Sequence, residues 1–338
     1  MKKRIVLVLF ALMATAALFA APIKVGFVTD TGGIDDKSFN QGTWEGIKLF
    51  AKENKLQEGT DVKYLQSTAD ADYIPNLSTF ADQKMDLIVA SGFLFEQAIG
   101  QVADQYKNEK FLIIDTVVAK PNVVSANFAA EQSSFLVGVA AGLKAKADKK
   151  DTVGFMGGME VPLIKAFEAG YIAGVKAVAP KVKVLSDYSG SFSDAAKGQA
   201  LAVKQYGAGA YIIYQAAGSS GNGVIKEAKE RSAKGDIRWS IGVDKDQYAD
   251  GIYAGDKSCI LTSAMKRVDV ASHDVAGMVR DGKFPGGTNL IFNLANKGVG
   301  IPAKNPNLSP AIEKEIQKYA EQIASGKIKV PTDPSQIK

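Results

Sequence analysis

The feature that most constrains this chain is a repeated alternation of short, continuously apolar runs with longer amphipathic stretches. Runs such as LIVA (Leu87–Ala90) and FLIID (Phe111–Asp115) carry no polar alternation before their last residue. A strand of that kind is buried on both faces, which points to a parallel sheet covered by helices. From Pro22 onward, strands are predicted at Ile23–Thr29, Val62–Gln66, Leu87–Ala90, Phe111–Asp115 and Val123–Asn127. Helices are predicted between them at Ser38–Glu53, Asp72–Gln83 and Phe95–Lys107. The second half repeats the scheme. Strands at Val153–Met156, Val182–Asp187, Tyr211–Gln215 and Trp239–Val243 alternate with helices at Val161–Ala179, Ser193–Tyr206 and Gly221–Ala233. The pieces after Asp244 are too few for a third domain. They comprise strands Ser258–Ser263 and Asn289–Asn293 and helices Val268–Asp281 and Ser309–Ile323.

The expected fold class is therefore α/β, with two doubly wound parallel-sheet lobes joined by a multi-strand hinge. Lobe 1 is expected to hold residues 22–128 plus about 244–285, and lobe 2 residues 129–243 plus about 286–325. Residues 326–338 read as a loose tail. The length of 338 agrees, at about 150 residues per domain. A cleft between two lobes is a natural ligand site.

The N-terminus reads differently. Lys2, Lys3 and Arg4 precede the apolar run Ile5–Met13, and small residues follow up to Ala21. That order is a secretory signal peptide, expected over residues 1–20. The run falls short of the ~20 residues a membrane span needs. Removing its three cations lowers the net charge from +5 to about +2. The apparent basicity then gives no case for nucleic acid or a membrane surface as partner. No cysteine closes the leader, so a directly attached lipid is not expected. The exported protein is expected to be soluble, periplasmic or otherwise extracytoplasmic, and monomeric.

One cysteine (Cys259) and one histidine (His273) exclude much chemistry. No intrachain disulfide can form. A structural zinc site normally takes four Cys or His ligands. No P-loop, G-x-S-x-G elbow or complete calcium loop is present, and the glycines at 218, 221 and 223 do not have dinucleotide-binding order. His273 falls inside a predicted helix beside Asp274, and Cys259 inside an apolar strand. No catalytic residue, metal site or cofactor is expected.

What remains is the set of residues at strand ends, where open parallel sheets bind ligands. Asp30 follows the first strand, and Gly32 and Gly33 allow close backbone approach there. Ser38 and Gln41 have capping-box spacing, which places Phe39 and Asn40 in the first helical turn. Asp35 and Asp36 read as helix N-terminal charges. The second half repeats the device, with Phe192 at a Ser-Phe pair before a helix. Each ring either staples its loop or touches a ligand. One from each lobe could face the other across the cleft, an arrangement suited to a flat molecule. Asp115, Gly218, Asp244 and Lys266 occupy further strand ends. Carboxylates accept from hydroxyls, Lys donates, and a helix N-terminus offers free N–H groups. For each aspartate alone, capping or a hinge salt bridge competes with ligand contact.

The stretch V-x-D-x-G-G-I-D-D-K-S-F-N-Q-x-x-W-E-G (28–46) resembles the N-terminal signature of the basic membrane protein family, which includes the purine nucleoside receptor lipoproteins. Gly190-Ser-Phe-Ser-Asp, Ala217-Gly-Ser-Ser-Gly-x-Gly, Gly242-Val-Asp-Lys-Asp-Gln and Thr262-Ser-Ala-Met-Lys follow in the same order. The resemblance covers about residues 23 to 325. It implies a type I periplasmic-binding-protein fold that serves an ABC importer and docks on its permease, with a purine nucleoside as ligand. It implies that Phe39 and Phe192 stack on the base, and that Asn40, Asp30 and Asp115 read the base edge. Gly218, Asp244 and Lys266 would hold the ribose. A sugar- or autoinducer-binding protein of the same fold is the alternative. An exported nucleoside hydrolase would need a DxDxxxDD-like carboxylate run, which the chain lacks.

Overall fold

The computed structural model describes residues 22–337, so the expected leader, residues 1–20, lies outside the described residues. Five strands open the chain: β1 (Val25–Thr29), β2 (Val62–Gln66), β3 (Leu87–Ser91), β4 (Phe111–Ile114) and β5 (Val123–Phe128). Helices α1 (Phe39–Glu53), α2 (Tyr73–Asp82) and α3 (Glu96–Gln105) connect them. Then come α4 (Ala130–Ala147), β6 (Thr152–Gly157), α5 (Pro162–Val178), β7 (Lys183–Tyr188), α6 (Ala195–Gly207), β8 (Ile212–Ala216), α7 (Ser219–Ala233) and β9 (Trp239–Asp244). A short hairpin of β10 (Ile252–Ala254) and β11 (Lys257–Ser258) leads to β12 (Ile260–Lys266), α8 (Val268–Arg280), β13 (Asn289–Phe292), β14 (Val299–Gly300) and α9 (Pro310–Ala324).

The strands form two six-stranded sheets, ordered β2-β1-β3-β4-β5-β13 and β7-β6-β8-β9-β12-β14. Each sheet starts one strand in from an edge, at β1 or β6, and reverses direction of growth once, between β1 and β3 or between β6 and β8. These are doubly wound sheets, and the reversal is where such sheets bind ligands. Within these two sheets every pairing is parallel except β12 with β14. Successive strand residues feed opposite faces: Phe27, Leu87 and Val89 pack into one core layer, and Val28, Ile88 and Ala90 into the other.

Two expected assignments are corrected. β12 was expected in lobe 1, but it pairs with β9 in the second sheet. β13 was expected in lobe 2, but it pairs with β5 in the first. A strand's lobe is decided by the edge it hydrogen-bonds, which a single sequence does not encode. The chain therefore crosses between lobes at β5–α4, β12–α8 and β13–β14. Ala129 N donates to Phe292 O at 2.8 Å and Arg267 N to Gly298 O at 2.9 Å, which ties the crossings together. The terminal segment is not wholly loose, because Ile328 and Val330 pack against the core of lobe 2.

Helix α4 was not anticipated. Twelve of its 18 residues are buried, on more than one side, because α4 lies between β12, α5 and α9. Burial all round erases the apolar stripe that reveals a surface helix. Its crossing with α5 is held close by glycines. A Cβ at Gly138 would overlap Tyr171 O, and one at Gly174 would overlap Phe135 O.

Candidate functional site

The strand tips of both sheets face one cavity between the lobes, the kind of place where two-lobed proteins bind small ligands. All eight residues singled out at strand ends line it: Asp30, Phe39, Asn40, Asp115, Phe192, Gly218, Asp244 and Lys266. Local backbone geometry puts several of them there. Asp115 (φ 68°), Asp244 (φ 64°) and Gly218 (φ 54°) adopt left-handed conformations where the strands end. Aspartate tolerates that region better than most residues, and glycine tolerates it freely.

Lobe 1 contributes a network built on two buried carboxylates. Asp36 accepts from the backbone N–H groups of Ser38 (2.9 Å), Asn40 (2.8 Å) and Gln41 (3.0 Å), satisfying the free donors that open α1. The expected capping box does not form. Asp36 does the capping, Ser38 Oγ instead donates to Asp244 at 2.7 Å, and Gln41 Oε1 is buried without a partner. Burial pushes the Asp36 carboxyl up to about 7, against the pull of those N–H donors. Asn40 Nδ2 donates to Asp30 (2.7 Å) and Asp36 (3.1 Å), and Asn40 Oδ1 accepts from Ser91 Oγ (2.7 Å) and Asp30 N (3.4 Å). Its two donors and two lone pairs are thus all engaged within the chain. Asn40 positions Asp30, and its amide has no capacity left to read a ligand in this geometry. Asp30 Oδ1 also accepts from Gly32 N at 2.8 Å, while Oδ2 has no hydrogen bond among the described residues. Burial raises the Asp30 carboxyl above its ordinary value.

Lobe 2 contributes Lys266. The parallel register pairs Met265 with Asp244, so Lys266 emerges one residue beyond the tip of β9. Its Nζ lies 2.5 Å from Asp115 of lobe 1 and 3.5 Å from Asp244. It also sits 4.3 Å from the centroid of the Phe39 ring and 5.6 Å from those of Phe128 and Phe167. Burial works to lower the lysine, but the carboxylates of Asp115 and Asp244 overcome it, so Lys266 is raised and charged. One cation between two carboxylates leaves an excess negative charge. Burial accordingly raises Asp115, with Lys266 opposing.

Both rings of the expected aromatic pair line the cavity, one from each lobe, and each also has a partner within the chain. Phe192 meets Phe93 of lobe 1 edge-to-face, with centroids 6.1 Å apart, while Phe39 carries Lys266 on its ring. Sequence reasoning also missed Asp36 as a lining residue, Gly92, Phe93 and Leu94 after β3, and Leu163, Ile164 and Phe167 on α5. The β3 tip had the same signal as the others, an apolar run ended by glycine. The α5 residues had none, because their apolar positions serve core and cavity alike. Among the described residues, no group of three or more Cys, His, Asp or Glu side chains is arranged to hold a metal ion.

Comparison with known proteins places this architecture. A family profile described as ABC transporter substrate-binding protein PnrA-like matches residues 23–334. The CD4+ T-cell-stimulating antigen of Listeria monocytogenes is 43% identical over 318 residues, covering 92% of this chain and 88% of that protein. The ABC transporter nucleoside-binding protein BmpA of Lactococcus lactis is 39% identical over 355 residues, covering 98% and 100%. The crystal structure of an ABC transporter solute-binding protein from Aeropyrum pernix K1 superposes with a TM-score of 0.81 at 26% identity, covering 93% of this chain and 95% of that one. Two doubly wound lobes around a shared cleft, with a family match over nearly the whole described chain, identify this chain as a member of the PnrA-like family of ABC transporter substrate-binding proteins, a binding protein and not an enzyme.

Proposed function

We propose that the protein captures a purine nucleoside in its inter-lobe cleft and delivers it to the permease of an ABC importer. The observation that carries this reading is the composition of the cavity. It offers aromatic rings from both lobes, Phe39 and Phe192, and a buried aspartate, Asp30, with one oxygen unpaired. A flat base gains about 1–3 kcal/mol from stacking on such rings. An unpaired acceptor that a ligand would cover rewards a ligand N–H, because leaving it unmet once buried costs about 1–3 kcal/mol. Asp244, Lys266 and the N-terminus of α7 at Gly218 suit ribose hydroxyls. Lys266 is the only cation among the lining residues, and two carboxylates already face it. A phosphate would find no cation free of carboxylate partners, which favours a nucleoside over a nucleotide. The name of the Lactococcus relative, a nucleoside-binding protein, agrees.

The protein works outside the cytoplasmic membrane, where importers collect their solutes, and the leader-like residues 1–20 fit that placement. No helix among the described residues is long and apolar enough to cross a membrane. Native mass spectrometry of freshly purified protein tests the ligand class. The expected result is a bound species heavier than the chain by one purine nucleoside. A carried-over hexose or pentose would overturn the reading in favour of a sugar receptor.

A further inference from the structure

The loop between β1 and α1 carries the support of Asp30 and leads into Phe39. Three of its backbone carbonyls are held from the opposite lobe. Ser219 Oγ donates to Gly32 O at 3.0 Å, Asn222 Nδ2 to Asp36 O at 3.1 Å, and Gln247 Nε2 to Lys37 O at 3.1 Å. Ser219 and Asn222 stand on the first turn of α7, and Gln247 on the loop after β9. None of the three lines the cavity. The Ser219 and Asn222 side chains make no other hydrogen bond among the described residues. Gln247 is aimed in advance, since its Oε1 accepts from Val243 N at 2.9 Å and Gln215 Nε2 at 2.8 Å.

We propose that Ser219, Asn222 and Gln247 form a latch that sets affinity by holding the lobes closed, without touching the ligand. The acceptors are backbone atoms of one loop in lobe 1 and the donors are side chains of lobe 2, so the contacts exist only when the lobes meet. A ligand that binds the closed form is held more tightly in proportion to the fraction of protein that is closed. Because the latch is indifferent to what lies in the cleft, its loss weakens every ligand by the same factor. The effect is read most directly on dissociation, which requires the closed lobes to part.

The test uses the full chain carrying S219A and N222A together, two partly exposed positions whose loss leaves both cores intact. Spin labels at K48C on α1 and K226C on α7 report the lobe separation. Both sites are exposed, while the native Cys259 is buried. Without ligand, the double variant is expected to show a longer, broader inter-lobe distance than the parent, and S219T alone is expected to keep the parent distance. With inosine, guanosine and adenosine, dissociation is expected to quicken by a common factor of about 5–30, the size of two modest hydrogen bonds. An unchanged distance in the double variant overturns the latch. So does a loss that differs among the three nucleosides, which would mean ligand contact. The second readout rests on the nucleoside reading. If the parent binds no nucleoside, that reading fails, and the ligand-free distance still decides the latch.

Discussion

Replacing Phe39 or Phe192 by alanine removes a ring from one wall of the cleft, and the two walls belong to different lobes. Each change is expected to weaken purine nucleoside binding by ~1–3 kcal/mol in titration calorimetry, with cooperative unfolding preserved. Unchanged affinity in both variants would remove base stacking from the account. Asp244→Ala is a finer probe, because Asp244 holds Ser38 and faces Lys266. It is expected to cost guanosine more than guanine, and equal losses would take Asp244 away from the ribose. At this scale the sequence located side chains better than it assigned their tasks. Strand-end logic found Asp30, Asp115, Asp244 and Lys266, since the end of a strand is legible as the end of an apolar run. It could not show that Asn40 spends all its hydrogen-bonding capacity inside the chain, nor that Asp36 displaces Ser38 as the cap. Those outcomes depend on distances between loops that no spacing rule supplies.

Helix packing shows what elements require of single residues. Gly174 lets α5 approach α4 so closely that a methyl group there would meet the carbonyl of Phe135. Gly174→Ala is expected to destabilise the protein by about 1–3 kcal/mol in urea unfolding, the usual cost of overpacking. A neutral result would mean the helices can part freely. In lobe 1, His273 of α8 bridges Glu53 of α1 at 2.8 Å and Asp274 at 2.9 Å. Burial pulls its pKa down, but the two carboxylates more than offset this and hold it above the ordinary value. A histidine raised on folding stabilises fully below its unfolded pKa of about 6.5, and that contribution fades as pH rises through the folded value. His273→Gln is therefore expected to lower the urea midpoint at pH about 5.5 and to match the parent at pH about 8.5, and a gap that widens with pH would contradict the pairing. Elements with one apolar face, such as α1, were legible from periodicity. α4 was not, because burial on several sides leaves no stripe to read.

For the molecule as a whole, the repeat of strand and helix was enough to reveal two lobes, because doubly wound sheets leave continuous apolar strands at regular intervals. The exchange of β12 and β13 between lobes escaped, since each could extend either sheet edge without changing its own pattern. That exchange creates the hinge, and it also brings Lys266 of the second sheet against Asp115 of the first. The cleft is thus a product of the topology, and the proposed nucleoside reading rests on its aromatic, carboxylate-rich lining. Titration calorimetry tests this most directly, with inosine, guanosine and adenosine set against ribose, arabinose and galactose. The account expects saturable one-to-one binding of the nucleosides and no heat from the free sugars. Saturable binding of a sugar with none of any nucleoside would contradict it.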